Sequence, residues 1–133
     1  MSTLLIRPAT SADAPLINAA WFESLWKEGF DVRGMRFEDF KEGFNRRAFR
    51  LLHHPDTRVR CMVFDTVPDE VLGFSVVAAN VAHYAYVKHA FRRQHIAKRL
   101  LFGCTVYTHR TKLGQRLAAG LDLQFNPFLL ESP

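Results

Sequence analysis

Tyr84-Ala85-Tyr86-Val87-Lys88-His89-Ala90-Phe91-Arg92-Arg93-Gln94-His95-Ile96-Ala97-Lys98-Arg99-Leu100-Leu101 reads as a strand, a basic turn and the opening of an amphipathic helix. A strand that feeds a helix through a basic loop is a natural holder for phosphate. The first-turn N–H groups have no intrahelical acceptor and point outward. Val81 to Val87 supplies the strand, and the helix is expected from about His95 to Phe102, burying Ile96, Leu100 and Leu101. On that reading Arg92, Arg93, Lys98 and Arg99 crowd the positive end of the helix dipole, an arrangement that a bound anion would relieve.

Upstream, Leu4-Leu5-Ile6-Arg7 is a short strand stopped by Pro8, and Thr10 to Asp13 is an N-cap signal with an acidic first turn. The following helix carries Ile17, Ala20, Trp21, Ser24 and Leu25 at helical spacing. Gly29 and Gly34 bracket a loop, and a second helix places Phe37, Phe40, Phe44 and Ala48 on one face. His53-His54-Pro55-Asp56 ends it, because a residue before proline disfavours the helical region. Val59 to Phe64 is a strand, Thr66 to Glu70 a turn, and the apolar run Val71 to Ala79 a strand covered on both faces. Beyond the central stretch, Cys104 to Tyr107 reads as a strand and Thr111 to Ala119 as a helix with Gly120 as its C′ residue. Leu123 to Phe125 and Phe128 to Leu130 finish the chain, with Pro127 confining that segment to an edge or bulge. The order is β-α-α-β-β-β-α-β-α-β, an α/β layered domain expected to span residues 1–133.

Composition fits a globular protein: 48% hydrophobic and 23% charged residues, with no run near the ~18 apolar residues that span a membrane. The N-terminus has neither the basic region nor the cleavage site of a signal peptide. Cys61 and Cys104 lie in separate apolar runs and read as free buried thiols in a reducing cytoplasm, with a single disulfide between them the alternative. No spacing among the six histidines and two cysteines resembles a metal site. Charge is unevenly placed. From Val71 to Leu121 there is no Asp or Glu, and Lys88, Arg92, Arg93, Lys98, Arg99, Arg110, Lys112 and Arg116 give that stretch +8. The remainder holds ten Lys/Arg against thirteen Asp/Glu, and the whole chain carries +5. A localised positive field points to an anionic partner.

The element order and the central stretch together resemble the GNAT superfamily of acetyl-CoA-dependent N-acetyltransferases, whose cofactor signature is Arg/Gln-x-x-Gly-x-Gly/Ala after a strand ending in Val and before a Leu-Leu pair. Val87, Phe91-Arg92, Ala97 and Leu100-Leu101 match it, as Ile6 to Thr10 with Asp13 resembles the family's opening. Length and the Phe125-Asn126-Pro127 ending are similar to small phage-type members. The resemblance implies a mixed, mostly antiparallel sheet flanked by helices. It implies acetyl-CoA or another acyl-CoA as cosubstrate, held by Tyr86, Val87, Arg92, Arg93, Gln94, His95, Ile96, Ala97 and Lys98. It also implies an amine acceptor, with the Trp26 to Phe37 loop edging its site and Trp26, Phe30 or Met35 in contact.

This chain departs from the pattern at defined positions. His95 stands where the family has its first glycine, the residue that lets bare backbone approach the pyrophosphate. The strand before the motif offers no carboxylate base. Aligning Gly120-Leu121 with the family's late Gly-aromatic pair puts Arg116 at the tyrosine that serves as acid, and His109 at an asparagine. His83, Tyr84 and His109 are the residues able to substitute as base or acid. Two functions therefore stand: direct acyl transfer to an amine, and a catalytically inactive GNAT-fold binding module acting through its basic half. A protein partner ranks before nucleic acid, since no recognition helix or RNA platform is present. Pairing through Phe125 to Leu130 would offer a route to a homodimer.

Overall fold

The computed structural model describes residues 2–29, 33–92, 95–108 and 120–126. They form a six-stranded sheet whose spatial order follows the chain: β1 (Leu4–Pro8), β2 (Thr57–Phe64), β3 (Gly73–Ala78), β4 (Val81–Val87), β5 (Val106–Tyr107) and β6 (Gln124–Phe125). β1 to β4 pair antiparallel, whereas β5 pairs parallel to both β4 and β6. Three described helices accompany the sheet: α1 (Ala14–Glu28), α2 (Phe37–Leu52) and α3 (Ile96–Leu100). The mixed, mostly antiparallel sheet flanked by helices is the architecture the sequence leads one to expect.

Strand alternation sorts the helices onto the two faces. Cys61, Phe74, Val76 and Tyr84 join a core with Trp21 and Leu25 of α1 and Phe40, Phe44, Ala48 and Leu51 of α2. Their strand neighbours Met62 and Val87 instead pack with Ile96 and Leu100 of α3. The first core is aromatic: Trp21 meets Phe44 edge-on at 5.4 Å and stacks on Tyr84 at 5.8 Å. Removing any of these buried rings would cost about 3–5 kcal/mol by transfer and cavity terms.

Local chemistry starts the first helix. A 3-10 turn at Ser11–Asp13 leads into α1, and the buried Asp13 carboxylate accepts the Thr10 N–H at 2.7 Å and both terminal nitrogens of Arg7 at 2.7 and 2.9 Å. The Arg7 guanidinium holds Asp13 down at a pKa of about 2. The bond ties the end of β1 to the start of α1, so the acidic N-cap signal in the sequence is also a tertiary clasp.

Several boundaries move from their expected places. Phe37, expected in the buried stripe of α2, is 43% exposed because it sits at the first residue of the helix, although its ring still meets Phe22 and Trp26. The helix expected over 95–102 is only Ile96–Leu100, since Leu101 leaves helical geometry and Gly103 turns left-handed at φ 87°. Lys98 and Arg99 therefore sit in the last turn of α3, the favourable end for cations, and the expected dipole conflict is absent for them. Gly120 is still helical, and Asp122 (φ 58°) takes the left-handed position expected of the glycine. The helix expected at Thr111–Ala119 and the strand at Phe128–Leu130 lie outside the described residues.

Candidate functional site

β4 is the strand on which the candidate site is built. Its antiparallel ladder with β3 runs from Ala78↔Val81 to Gly73↔Val87, but the register shifts midway: Val76 faces Tyr84 while Val77 faces Ala82. His83 is the extra residue, a β-bulge. On its other side, among the described residues, β4 pairs with β5 at Val81↔Val106 and Ala82↔Tyr107, and a further backbone bond runs from Thr108 N–H to Ala82 O at 3.2 Å. Among the described residues nothing continues that pairing along Tyr84–Val87.

The bulge decides which backbone groups face the open side. Lys88 N–H donates to Leu72 O at 2.8 Å, so residue 88, and by alternation Tyr86 and Tyr84, direct their backbone groups at β3. Ala85 and Val87 then direct theirs away from it. Arg92 agrees with this parity, because its Nε reaches the outward carbonyl of Val87 at 2.9 Å. Gly73 makes the close β3–β4 approach here possible: a Cβ at residue 73 would lie 2.7 Å from Tyr86 O.

Beyond β4 the chain makes a 3-10 turn at His89–Phe91 and enters the basic loop. Phe91 anchors the turn, packing edge-on against Phe64 at 5.9 Å beside Met62 and Val87. Arg92 is half-buried, and Arg93 and Gln94 lie outside the described residues. His95 is exposed, and its backbone is left-handed at φ 60°, ψ 17°. That is the conformation for which glycine is the usual residue and in which histidine is uncommon. The first turn of α3 follows. Ile96 is fully buried, Ala97 half-buried against the same core, and Lys98 exposed. Ile96 and Val87 thus anchor the loop with their side chains and can offer a ligand only backbone. With five residues, α3 carries little macrodipole.

The two described histidine and tyrosine candidates on β4 are both held inside the fold. His83 is 1% exposed, with Nδ1 3.1 Å from Thr108 Oγ1, and burial pulls its pKa down to about 4, so it is neutral at pH 7. The Tyr84 hydroxyl lies 2.5 Å from Ser24 Oγ and 3.2 Å from Ala20 O, fastening β4 to α1. Tyr86 is half-buried against Phe74, ring centroids 5.7 Å apart. His109 lies outside the described residues, as does Arg116. On the acceptor side, Trp26 belongs to α1 rather than to a loop and packs against Phe37 and Phe40 at 5.3 and 5.2 Å; Met35 is exposed, and Phe30 lies outside the described residues.

Three contributors are absent from the sequence reading. Ala85 gains its place only through the bulge, which leaves no mark in composition. Thr108 is an ordinary polar residue until β5 brings it against His83. Gly73 did carry a signal, a single glycine inside an apolar strand, the usual mark of close backbone approach. His53 and His54 serve local turns, His53 Nδ1 lying 2.8 Å from Phe49 O and His54 Nδ1 accepting the Asp56 N–H at 3.1 Å. Burial pushes the Cys61 thiol up to about 11, and Cys104 is shifted the same way. Among the described residues no three His, Cys, Asp or Glu groups gather as metal ligands, and no helix is long and apolar enough to cross a membrane.

Known proteins match this chain in structure but not in sequence. No family model and no curated protein matches it. Among solved structures, the aminoglycoside N-acetyltransferase AAC(6′)-Iy in complex with CoA aligns at TM-score 0.56 and 14% identity, over 93% of this chain and 90% of that one. The same enzyme with the bisubstrate analogue CoA-S-monomethyl-acetylneamine aligns at 0.50 and 13%, over 92% of each chain. A possible acetyltransferase from Clostridium difficile 630 gives 0.50 and 13%, over 92% of this chain and 76% of that one. The fold is that of the GNAT acetyltransferases.

Proposed function

We propose that this GNAT-fold chain binds acetyl-CoA, or another acyl-CoA, along the open side of β4 and over the Val87–Lys98 loop, and transfers the acyl group to an amine. The observation that carries the reading is the backbone at residue 95. The chain holds His95 in the left-handed conformation of the family's glycine, with its side chain exposed, at the position the sequence pattern marks for the pyrophosphate. Ala97 keeps the next motif position small, and an acid-free run of 51 residues surrounds both. These residues fit a ligand bearing several phosphates.

Acyl-CoA, when bound, would supply a thioester whose carbonyl carbon accepts the amine. The C–S bond then breaks, and the CoA thiolate leaves and takes up a proton released by the amine to become the free thiol. In this proposal Arg92 and Arg93 make charge-assisted bonds to phosphate oxygens, and the N–H groups of residues 96–98 complete the cradle. The outward N–H groups of Ala85 and Val87 run beside the acyl arm and polarise its carbonyl, a role worth about 2.7–4 kcal/mol per donor in acyl transfer generally. Of the proton-transfer candidates, His83 and Tyr84 would have to leave their present partners to reach an ammonium. We therefore assign proton removal to His109. The acceptor enters from the side of α1 and α2, where Met35 and the Phe37 ring are exposed.

The engagement of both His83 and Tyr84 inside the fold favours a second reading, a binding module that holds acyl-CoA without turning it over and acts through its basic half. Free-thiol release from acetyl-CoA, followed over a panel of primary amines, separates the two. Amine-dependent release that His109→Ala lowers by ~100-fold or more supports transfer, at the scale typical of general base catalysis. Release at the buffer rate with every amine leaves the binding module.

A further inference from the structure

We infer that the hydrogen bond between His83 and Thr108 is the pin that fixes where β4 and β5 part, making His83 a positioning residue for the acyl arm rather than a proton carrier. The inference rests on the acyl-CoA reading above. His83 is the extra residue of the bulge, and among the described residues the Thr108 N–H makes the last backbone bond from the β5 segment to β4, at 3.2 Å. The side-chain bond, at 3.1 Å, therefore joins the bulge to the final rung, and both residues are 1% exposed.

An untied bulge can slide, and in a strand each one-residue slide inverts which neighbours face which way. Were the extra residue taken up two positions later, Tyr84 rather than Ala85 would turn its backbone to the open edge. The binding edge would then present a different set of donors. β5 cannot resist this alone, because it is two residues long. Among the described residues its hold on β4 includes the paired rungs Val81↔Val106 and Ala82↔Tyr107, the backbone bonds to Asn80 O and Ala82 O, the Asn80 Nδ2 to Thr105 Oγ1 bond at 2.6 Å, and the His83 contact. The Asn80 bond secures the far end of β5; His83 secures the end where the ladder stops. A neutral imidazole suits the task, since either tautomer can pair with a hydroxyl.

The test compares two ligands by calorimetric titration. Acetyl-CoA has an acyl arm that lies along β4 in the proposed complex, whereas adenosine 3′,5′-bisphosphate has none. Thr108→Val removes the hydroxyl at constant shape, Thr108→Ser restores it, His83→Leu removes the ring nitrogen and His83→Asn keeps a polar atom at its place. Thr108→Val and His83→Leu are expected to weaken acetyl-CoA about tenfold, the scale of one buried hydrogen bond. Thr108→Ser and His83→Asn should recover most of that loss, and the bisphosphate should bind all five proteins within about twofold, well under one such bond. Should Thr108→Val not fold, the His83 pair reads the same difference. Unchanged acetyl-CoA affinity in folded Thr108→Val, or equal weakening of both ligands, overturns the pin while leaving the acyl-CoA reading intact. Wild-type protein that binds neither ligand overturns the acyl-CoA reading and the pin together.

Discussion

At residue 95 the backbone adopts a conformation that glycine enters freely and that costs other residues about 1–2 kcal/mol. The strain is tolerated because Phe91 on one side and Ile96 on the other are packed into the same core, which holds the backbone at residue 95. His95→Gly removes that strain, partly offset by glycine's extra unfolded-state entropy of about 0.5–1 kcal/mol. The substituted protein should gain roughly 0.5–1 kcal/mol in urea unfolding, where an ordinary helical residue would lose a similar amount. A loss on substitution would show that residue 95 is not left-handed. Asp13 is the second residue with a measurable signature. Its pKa in the folded chain is about 2 against an ordinary 3.8, so its contribution is present well above 3.8, declines as pH falls through that value and is lost as pH falls through 2. Asp13→Asn should therefore cost about 2 kcal/mol at pH 7, and the gap between the two proteins' urea midpoints should narrow steadily from pH 5 towards pH 2. The acid at position 13 was legible as a cap. Its partner Arg7 was legible only as the end of a strand, because nothing local says that β1 delivers a guanidinium to the helix start.

Among the elements, β4 was read with correct bounds because its apolar run is stopped cleanly by Asn80 and Lys88. The bulge within it was not legible, since a one-residue register shift belongs to the pair of strands and not to either sequence. The resulting parity is measurable by amide exchange. Tyr84 and Tyr86 should exchange slowly, Ala85 and Val87 fast, and saturating acetyl-CoA should slow the fast pair by at least tenfold. Equal protection of all four amides in the free protein would mean that the bulge does not sit at His83. Gly73→Ala acts on the same strand from the other side. A methyl group 2.7 Å from Tyr86 O forces β3 and β4 apart, and strain of this kind in a packed interior costs about 1–3 kcal/mol. The expected outcome is a lowered urea midpoint together with weaker acetyl-CoA binding. Helix α3 shows the opposite failure of sequence reading. Its apolar spacing continues through Leu101, but Ser75 Oγ takes the Leu100 carbonyl at 2.9 Å and Arg60 shares it at 3.2 Å, so side chains from two strands cap the helix early.

Across the whole molecule, the two faces of the sheet divide the work. The aromatic core of α1 and α2 with Cys61, Phe74 and Tyr84 gives rigidity to the inner side of β4, and the smaller core around Met62, Ile96 and Leu100 carries the basic loop. The charge asymmetry follows the same division, since all eight cations of the acid-free run begin at Lys88, after the last residue of β4. The fold was legible in that pattern because strand–loop–helix order is a local property. The surroundings of His83 and Tyr84 were not, because burial is a property of the assembled sheet. Calorimetric titration of the wild-type chain with acetyl-CoA tests the central claim most directly. One ligand should bind per chain, with affinity that falls as salt rises because the arginines meet phosphate. No heat at high micromolar acetyl-CoA, from the wild type and from His95→Gly alike, would contradict it.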